Sequence, residues 1–298
     1  MDRLIKKISV QNVGLLLVIA TMIELFLLQF STSTIARIIA SNIATIGGNL
    51  FAIFMIMIAM KSSTARPEYY RFWLLLVFAF IFNLAGEAIY NYLEIVSHET
   101  PFPSIADPFY LAFYPLILIA MFLFPTGKHS KERKYIVFLE MMVVLLSSLL
   151  IFTEFLFGPI LNNNESLLEK VLSIFYPAGD FLVLWAIIYI LFSKVRKSDI
   201  QTILFLAMGL FVFIIADTIY SFLNADNLYY TGHISDITYF IAYLFCALAA
   251  ASYIENTQKD TSDEIAAENI HWMAYSPYIF LIAAIYSFYY VMRNDTFL

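Results

Sequence analysis

Charge is what this chain has least of. Only 13% of its 298 residues are Asp, Glu, Lys or Arg, against roughly 25% in a typical soluble domain. With 61% hydrophobic residues it reads as an integral membrane protein whose first partner is the lipid bilayer. The single cysteine, Cys246, excludes an intrachain disulfide and lies in an apolar run, where it serves as a small packing residue. His98, His129, His233 and His271 are scattered without ligand spacing, which argues against a zinc or haem centre. There is no P-loop, no His-Glu-x-x-His sequence and no nucleophile elbow. No lysine stands in mid-span for a retinal Schiff base. No enzymatic activity, no cofactor and no nucleic-acid partner are expected, and the net charge of -6 carries no information about partners, because in membrane proteins the placement of Lys and Arg matters rather than their total.

What is present is a series of long apolar runs. About 20 apolar residues cross a bilayer as a helix, and nine such runs occur, at 12–30, 36–60, 70–94, 107–125, 134–157, 169–193, 200–223, 234–254 and 272–292. The expected fold is an all-α membrane protein of nine transmembrane helices in a single domain spanning 1–298. The first run is longer than the core of a signal peptide and reads as an uncleaved anchor. Basic residues fall in alternate connections: Arg3, Lys6 and Lys7; Lys61, Arg66 and Arg71; Lys128, Lys131, Arg133 and Lys134; Lys194, Arg196 and Lys197. These connections are expected to be cytoplasmic, with the N-terminus inside and the C-terminus outside the cell membrane. The connection from Glu255 to Asn269 fits least well, with one lysine among five acids, but acids weigh little in this rule. Asn164-Glu-Ser166 matches the N-glycosylation pattern, a match common by chance.

Within the spans, the stretch from Asn83 to Pro115 places Glu87 and Asp107 near one end of two helices, 20 residues apart; Asp217 and Asp236 repeat the arrangement 19 residues apart. Spans two to five (36–157) align with spans six to nine (169–292). Gly48-Asn49 falls on Gly179-Asp180, Glu87 and Tyr90 on Asp217 and Tyr220, and Asp107 and Tyr110 on Asp236 and Tyr239, at offsets of 131, 130 and 129 residues. Four helices per copy make the repeat parallel, related by an axis along the membrane normal, and such repeats hold binding sites between them. At 1.5 Å per helical residue, Asp107 and Asp236 lie at the outer interface, Glu87, Asp217 and Glu24 roughly 10 Å deeper, and Asn49 and Asp180 near the midplane.

A carboxylate in hydrocarbon costs about 2.5 to 3.5 kcal/mol on insertion scales, so each is a candidate for function. No basic residue lies deep enough to pair with them, so they must be protonated, hydrated, bonded to Tyr and Asn, or neutralised by a cation. Glu24, Asn49, Glu87, Tyr90, Asp107, Tyr110, Asp180, Asp217, Tyr220, Asp236 and Tyr239 are the expected ligand-binding set, lining one outward-facing polar cavity. Asp180, the deepest acid, is the one expected to be protonated or to hold a cation. The plainer reading of Asp107 and Asp236 is helix capping, and that of Asp180 a buried structural hydrogen bond. Tyr176-Pro-Ala-Gly-Asp180 approaches the Gly-x-Gly-Asp motif of intramembrane aspartyl proteases, but Pro177 replaces the first glycine and no partner Tyr-Asp motif occurs.

Pro103-Ser-Ile-Ala-Asp107-Pro-Phe-Tyr-Leu-Ala-Phe-Tyr-Pro115, Tyr176-Pro-Ala-Gly-Asp180 and Asp217-x-x-Tyr220 together resemble the N-terminal multi-pass membrane region of some archaeal and bacterial sensor histidine kinases and diguanylate cyclases, over about Glu68 to Tyr278. The resemblance implies a membrane input module. The chain stops just after the ninth run without an output domain, so no catalytic signalling activity is carried over. The expectation is an orphan sensory or ligand-binding module that takes a cation, a proton or a small amphipathic molecule and signals through a cytoplasmic or membrane partner. The alternative is a small transporter or channel using the same pocket.

Overall fold

The computed structural model describes residues 8–31, 33–98, 102–127, 166–225 and 228–258, with scattered positions between 139 and 153. Among these residues the architecture is all-helical. Helix α1 (Val10–Phe30) is capped by Ser9, whose hydroxyl accepts the Asn12 amide at 3.2 Å, and α2 (Thr34–Ser62) by Ser33. Two 3₁₀ turns, Ser63–Ala65 and Pro67–Tyr69, lead into α3 (Tyr70–Tyr92), which relaxes into a π turn, Leu93–Ser97, and stops at His98 in the left-handed region (φ 54°). Helix α4 (Asp107–Leu123) follows. Helix α5 (Leu167–Phe192) begins with a capping box in which Ser166 and Glu169 exchange side-chain and backbone hydrogen bonds, so Ser166 has a structural duty whatever its place in a glycosylation pattern. The 3₁₀ turn Lys197–Asp199 opens α6 (Ile200–Ala225), and Ile234–Asp236 opens α7 (Ile237–Gln258).

Six of these helices are long and apolar enough to cross a membrane, and α4 is a shorter apolar helix. The expected spans 134–157 and 272–292 lie outside the described residues, apart from scattered positions in the first.

Helices α2 to α7 close into a ring: α2 packs on α3, α3 on α4, α4 on α5, α5 on α6, α6 on α7, and α7 back on α2. Helix α1 stands outside it against α7 and α2. Its buried residues, Val13, Leu17, Glu24 and Leu28, form one narrow stripe, while Leu15, Val18, Met22, Phe26 and Phe30 face outward. Such an outward apolar surface suits lipid and no other solvent.

Lys61, Arg66, Arg71, Lys194, Arg196 and Lys197 gather at one end of the bundle; Arg37 and Lys170 stand near the other. The basic end holds a buried aromatic cluster. Tyr69, Phe72 and Trp73 are fully buried, and Tyr69 lies against Phe124 and Tyr253 with ring centroids 5.4 and 5.2 Å away. The Tyr69 hydroxyl donates to Asp199, which joins the start of α3 to the start of α6 across the ring.

Candidate functional site: a carboxyl and tyrosine core within the helix ring

Two groups of polar side chains occupy the ring interior. In the first, Asp217 of α6 accepts the Tyr114 hydroxyl of α4 on Oδ2 at 2.9 Å and the Tyr239 hydroxyl of α7 on Oδ1 at 2.8 Å. A third hydrogen bond joins it to Asp180 of α5. Asp180 is 4% exposed, and its Oδ1 is buried without a partner. Gly179 makes this possible: a Cβ there would stand 2.5 Å from two atoms of the Tyr114 ring.

In the second group, Glu87 of α3 is hydrogen-bonded to the Asn49 amide of α2. The Tyr243 hydroxyl of α7 sits 2.5 Å from Glu87 Oε1 and 2.7 Å from Asn83 Oδ1, with one proton to share between them. Asn49 Nδ2 also donates to Asn83 Oδ1 at 2.9 Å. Gly48 brings α7 close, since a Cβ there would meet the Phe240 ring at 2.7 Å and Tyr243 at 3.6 Å.

Nearer the end opposite the basic cluster, Tyr90 and Tyr220 are hydrogen-bonded to one another, and Tyr110 packs its ring on Gly86. Asp107 accepts the Ser104 amide at 2.6 Å and the Tyr176 hydroxyl at 2.5 Å; Asp236 accepts the Gly232 amide at 2.9 Å and the Ser41 hydroxyl at 2.7 Å. Both acids therefore satisfy backbone donors just before a helix, and both also tie that helix start to the neighbouring one. Tyr229, in the connection before α7, donates to Asp236, and burial holds its phenol well above the ordinary tyrosine range, so it remains a donor.

The expected site residues thus divide. Asn49 and Glu87 belong to one interior group and Asp180, Asp217 and Tyr239 to the other; Tyr90, Tyr110 and Tyr220 lie between these groups and Asp107 and Asp236, at the end opposite the basic cluster. Tyr239 serves Asp217 on the next helix, not the acid three residues before it. Glu24 stands apart, between α1 and the ring, and its electrostatic neighbour is Asp236. It is 3% exposed, with both carboxyl oxygens unpartnered. Sequence reasoning missed Asn83, Tyr114, Tyr243, Ser41 and Tyr176. Tyr114 and Tyr243 were signalled by position: each follows its helix-opening acid by seven residues, two turns along the same face as the tyrosine at three.

Every described Lys and Arg lies at or beyond a helix end, so Glu87 and Asp217 are held by hydroxyls, an amide and the Asp180 carboxyl rather than by a basic side chain. Among the described residues, no group of three or more His, Cys, Asp and Glu is arranged to hold a metal ion. No protein-family model, curated protein or solved structure matches the chain.

Proposed function

We propose that the protein is a membrane-embedded sensory or ligand-binding module whose interior acids respond to a proton, a cation or a small amphipathic molecule entering from the outer side, and that it acts through a partner protein. The observation that carries this reading is the carboxyl and tyrosine core inside the helix ring, in which Asp217 and Glu87 accept tyrosine hydroxyls from neighbouring helices. A receptor reading fits the buried aromatic cluster of Tyr69, Phe72, Trp73, Phe124 and Tyr253 at the basic end, which a channel would need to part. The motif likeness to the membrane input regions of sensor kinases and cyclases fits the same reading.

The ring is further proposed to consist of two copies of one half, α2 to α4 and α5 to α7. Tyr114 and Tyr243 share the 129-residue offset of Asp107 and Asp236, and their contacts correspond. Tyr243 packs near Gly48 and bonds Glu87; Tyr114 packs on Gly179 and bonds Asp217. Residues on a two-fold axis meet their own equivalents, and Tyr90 bonds Tyr220 while Tyr69 bonds Asp199, both pairs 130 residues apart.

Flux measurements on proteoliposomes test the functional reading. Cation or proton uptake above that of empty vesicles, lost in Asp217→Asn, would replace the receptor by a transporter; binding without flux is the expected result. Sidedness has its own check. Thr64 and His98, both exposed, flank α3 at opposite ends, and Cys246 is buried. Basic-residue placement puts Thr64 inside. An impermeant maleimide applied to intact cells should label His98→Cys and spare Thr64→Cys; the reverse pattern inverts the topology.

A further inference from the structure

The two halves of the interior differ in one chemically decisive way. Toward Glu87 the donor is the Asn49 amide, whose hydrogens are permanent. Toward Asp217 the donor is a carboxyl group, Asp180, and a hydrogen bond between two carboxyls exists only while a proton sits between them. That proton is detachable. Asp217 is already furnished as the ionised partner, since it accepts from Tyr114 and Tyr239 as well. Asp180 Oδ1 is left buried with nothing to bind, although the whole residue is only 4% exposed. An orphaned acceptor carries the desolvation cost of its group with no return unless another state uses it.

We infer that the Asp180 and Asp217 pair is an exchange site at which one monovalent metal cation of the sodium class replaces one proton. The step balances: the pair with one proton carries a charge of minus one, and releasing that proton while taking up one monovalent cation leaves the same charge. In surroundings of low dielectric, an exchange that conserves local charge avoids the large cost of changing it. In the exchanged state the cation lies between the two carboxylates, and Asp180 Oδ1 becomes a ligand. The other ionisable groups facing the pair are the phenols of Tyr114 from α4, Tyr176 from α5, Tyr220 from α6, and Tyr239 and Tyr243 from α7, of which Tyr114 and Tyr239 donate to Asp217.

This inference rests on the reading of the interior as a ligand site and names the ligand. The test uses the full-length protein in detergent, with sodium chloride compared against choline chloride at equal ionic strength. Sodium should raise the unfolding temperature, and in weak buffer its addition should release one proton per cation bound. Because the proton and the cation compete, apparent sodium affinity should fall about tenfold for each unit of acidification once the pair is protonated. Asp180→Asn should lose sodium stabilisation and proton release together while still folding, since Asn49 and Glu87 already form that amide and carboxylate pair. Proton release by the unaltered protein decides the matter even if the variant does not fold. Sodium stabilisation without proton release, release that persists in a folded Asp180→Asn protein, or no sodium effect at any pH overturns the exchange. Failure here with another molecule bound leaves the receptor reading standing; exchange accompanied by vesicle flux keeps the site and removes the receptor.

Discussion

Replacing Glu24 with leucine should stabilise the protein. Both carboxyl oxygens of Glu24 are buried and unpartnered, and the residue sits in the single stripe that joins α1 to the ring, between Leu17 and Leu28. A buried polar group without a partner costs about 1 to 3 kcal/mol in protein mutational data. Leucine is close to glutamate in volume and continues the apolar stripe, so Glu24→Leu should recover a comparable amount, read as a higher midpoint of thermal unfolding in detergent. The change also removes a carboxyl that interacts with Asp236, which adds to the gain while both are charged. A lower midpoint would mean that the Glu24 carboxyl has a partner in the folded protein, and the claim that it is retained at a cost to stability would fail.

The opposite sign is expected at Gly179. A methyl group there would overlap the Tyr114 ring at three positions, 2.5, 2.5 and 2.7 Å from the nearest atoms. The ring cannot simply swing away, because its hydroxyl is engaged by Asp217 and its residue is 4% exposed. Overpacking of this kind costs about 1 to 3 kcal/mol, and a broken hydroxyl to carboxylate bond adds to it. Gly179→Ala should therefore lower the unfolding midpoint markedly. Gly47→Ala is the internal control: nothing lies within 4 Å of its added methyl, and alanine is the better helix former by about 1 kcal/mol. Combining Gly179→Ala with Tyr114→Ala should cost less than the two changes summed. Strict additivity would show that the glycine is not there for the tyrosine.

Helix extents were the most legible property. The expected runs 12–30, 169–193 and 200–223 compare with Val10–Phe30, Leu167–Phe192 and Ile200–Ala225, because in a membrane the polarity of the solvent changes abruptly where a helix ends. Asp107 as a helix start was legible from the Asp-Pro pair. Ring closure was not, since lateral helix order is set by close approach at a few small residues such as Gly48, Gly179 and Gly209, and hydropathy does not register size. The interior acids stood out because a carboxylate is conspicuous among apolar residues. Their partners did not: tyrosine is abundant here, with 20 in the chain, so those that bond an acid look like those that meet lipid. Glu24 was misplaced for a related reason. Depth along a helix can be counted, but the direction a residue faces depends on which neighbour the helix adopts.

The brevity of α4 has a consequence for the surrounding bilayer. Its 17 residues rise about 26 Å, less than the roughly 30 Å of hydrocarbon in a typical membrane, whereas the 29 residues of α2 rise about 44 Å. Lipid beside α4 must thin locally, while α2 must lean or project beyond the acyl chains. Thinning draws headgroups and water down toward Asp107 and the tyrosine tier behind it. Acyl-chain length thereby becomes a control on hydration near Asp107, and the same protein placed in short-chain and long-chain bilayers will hold its interior acids at different effective depths.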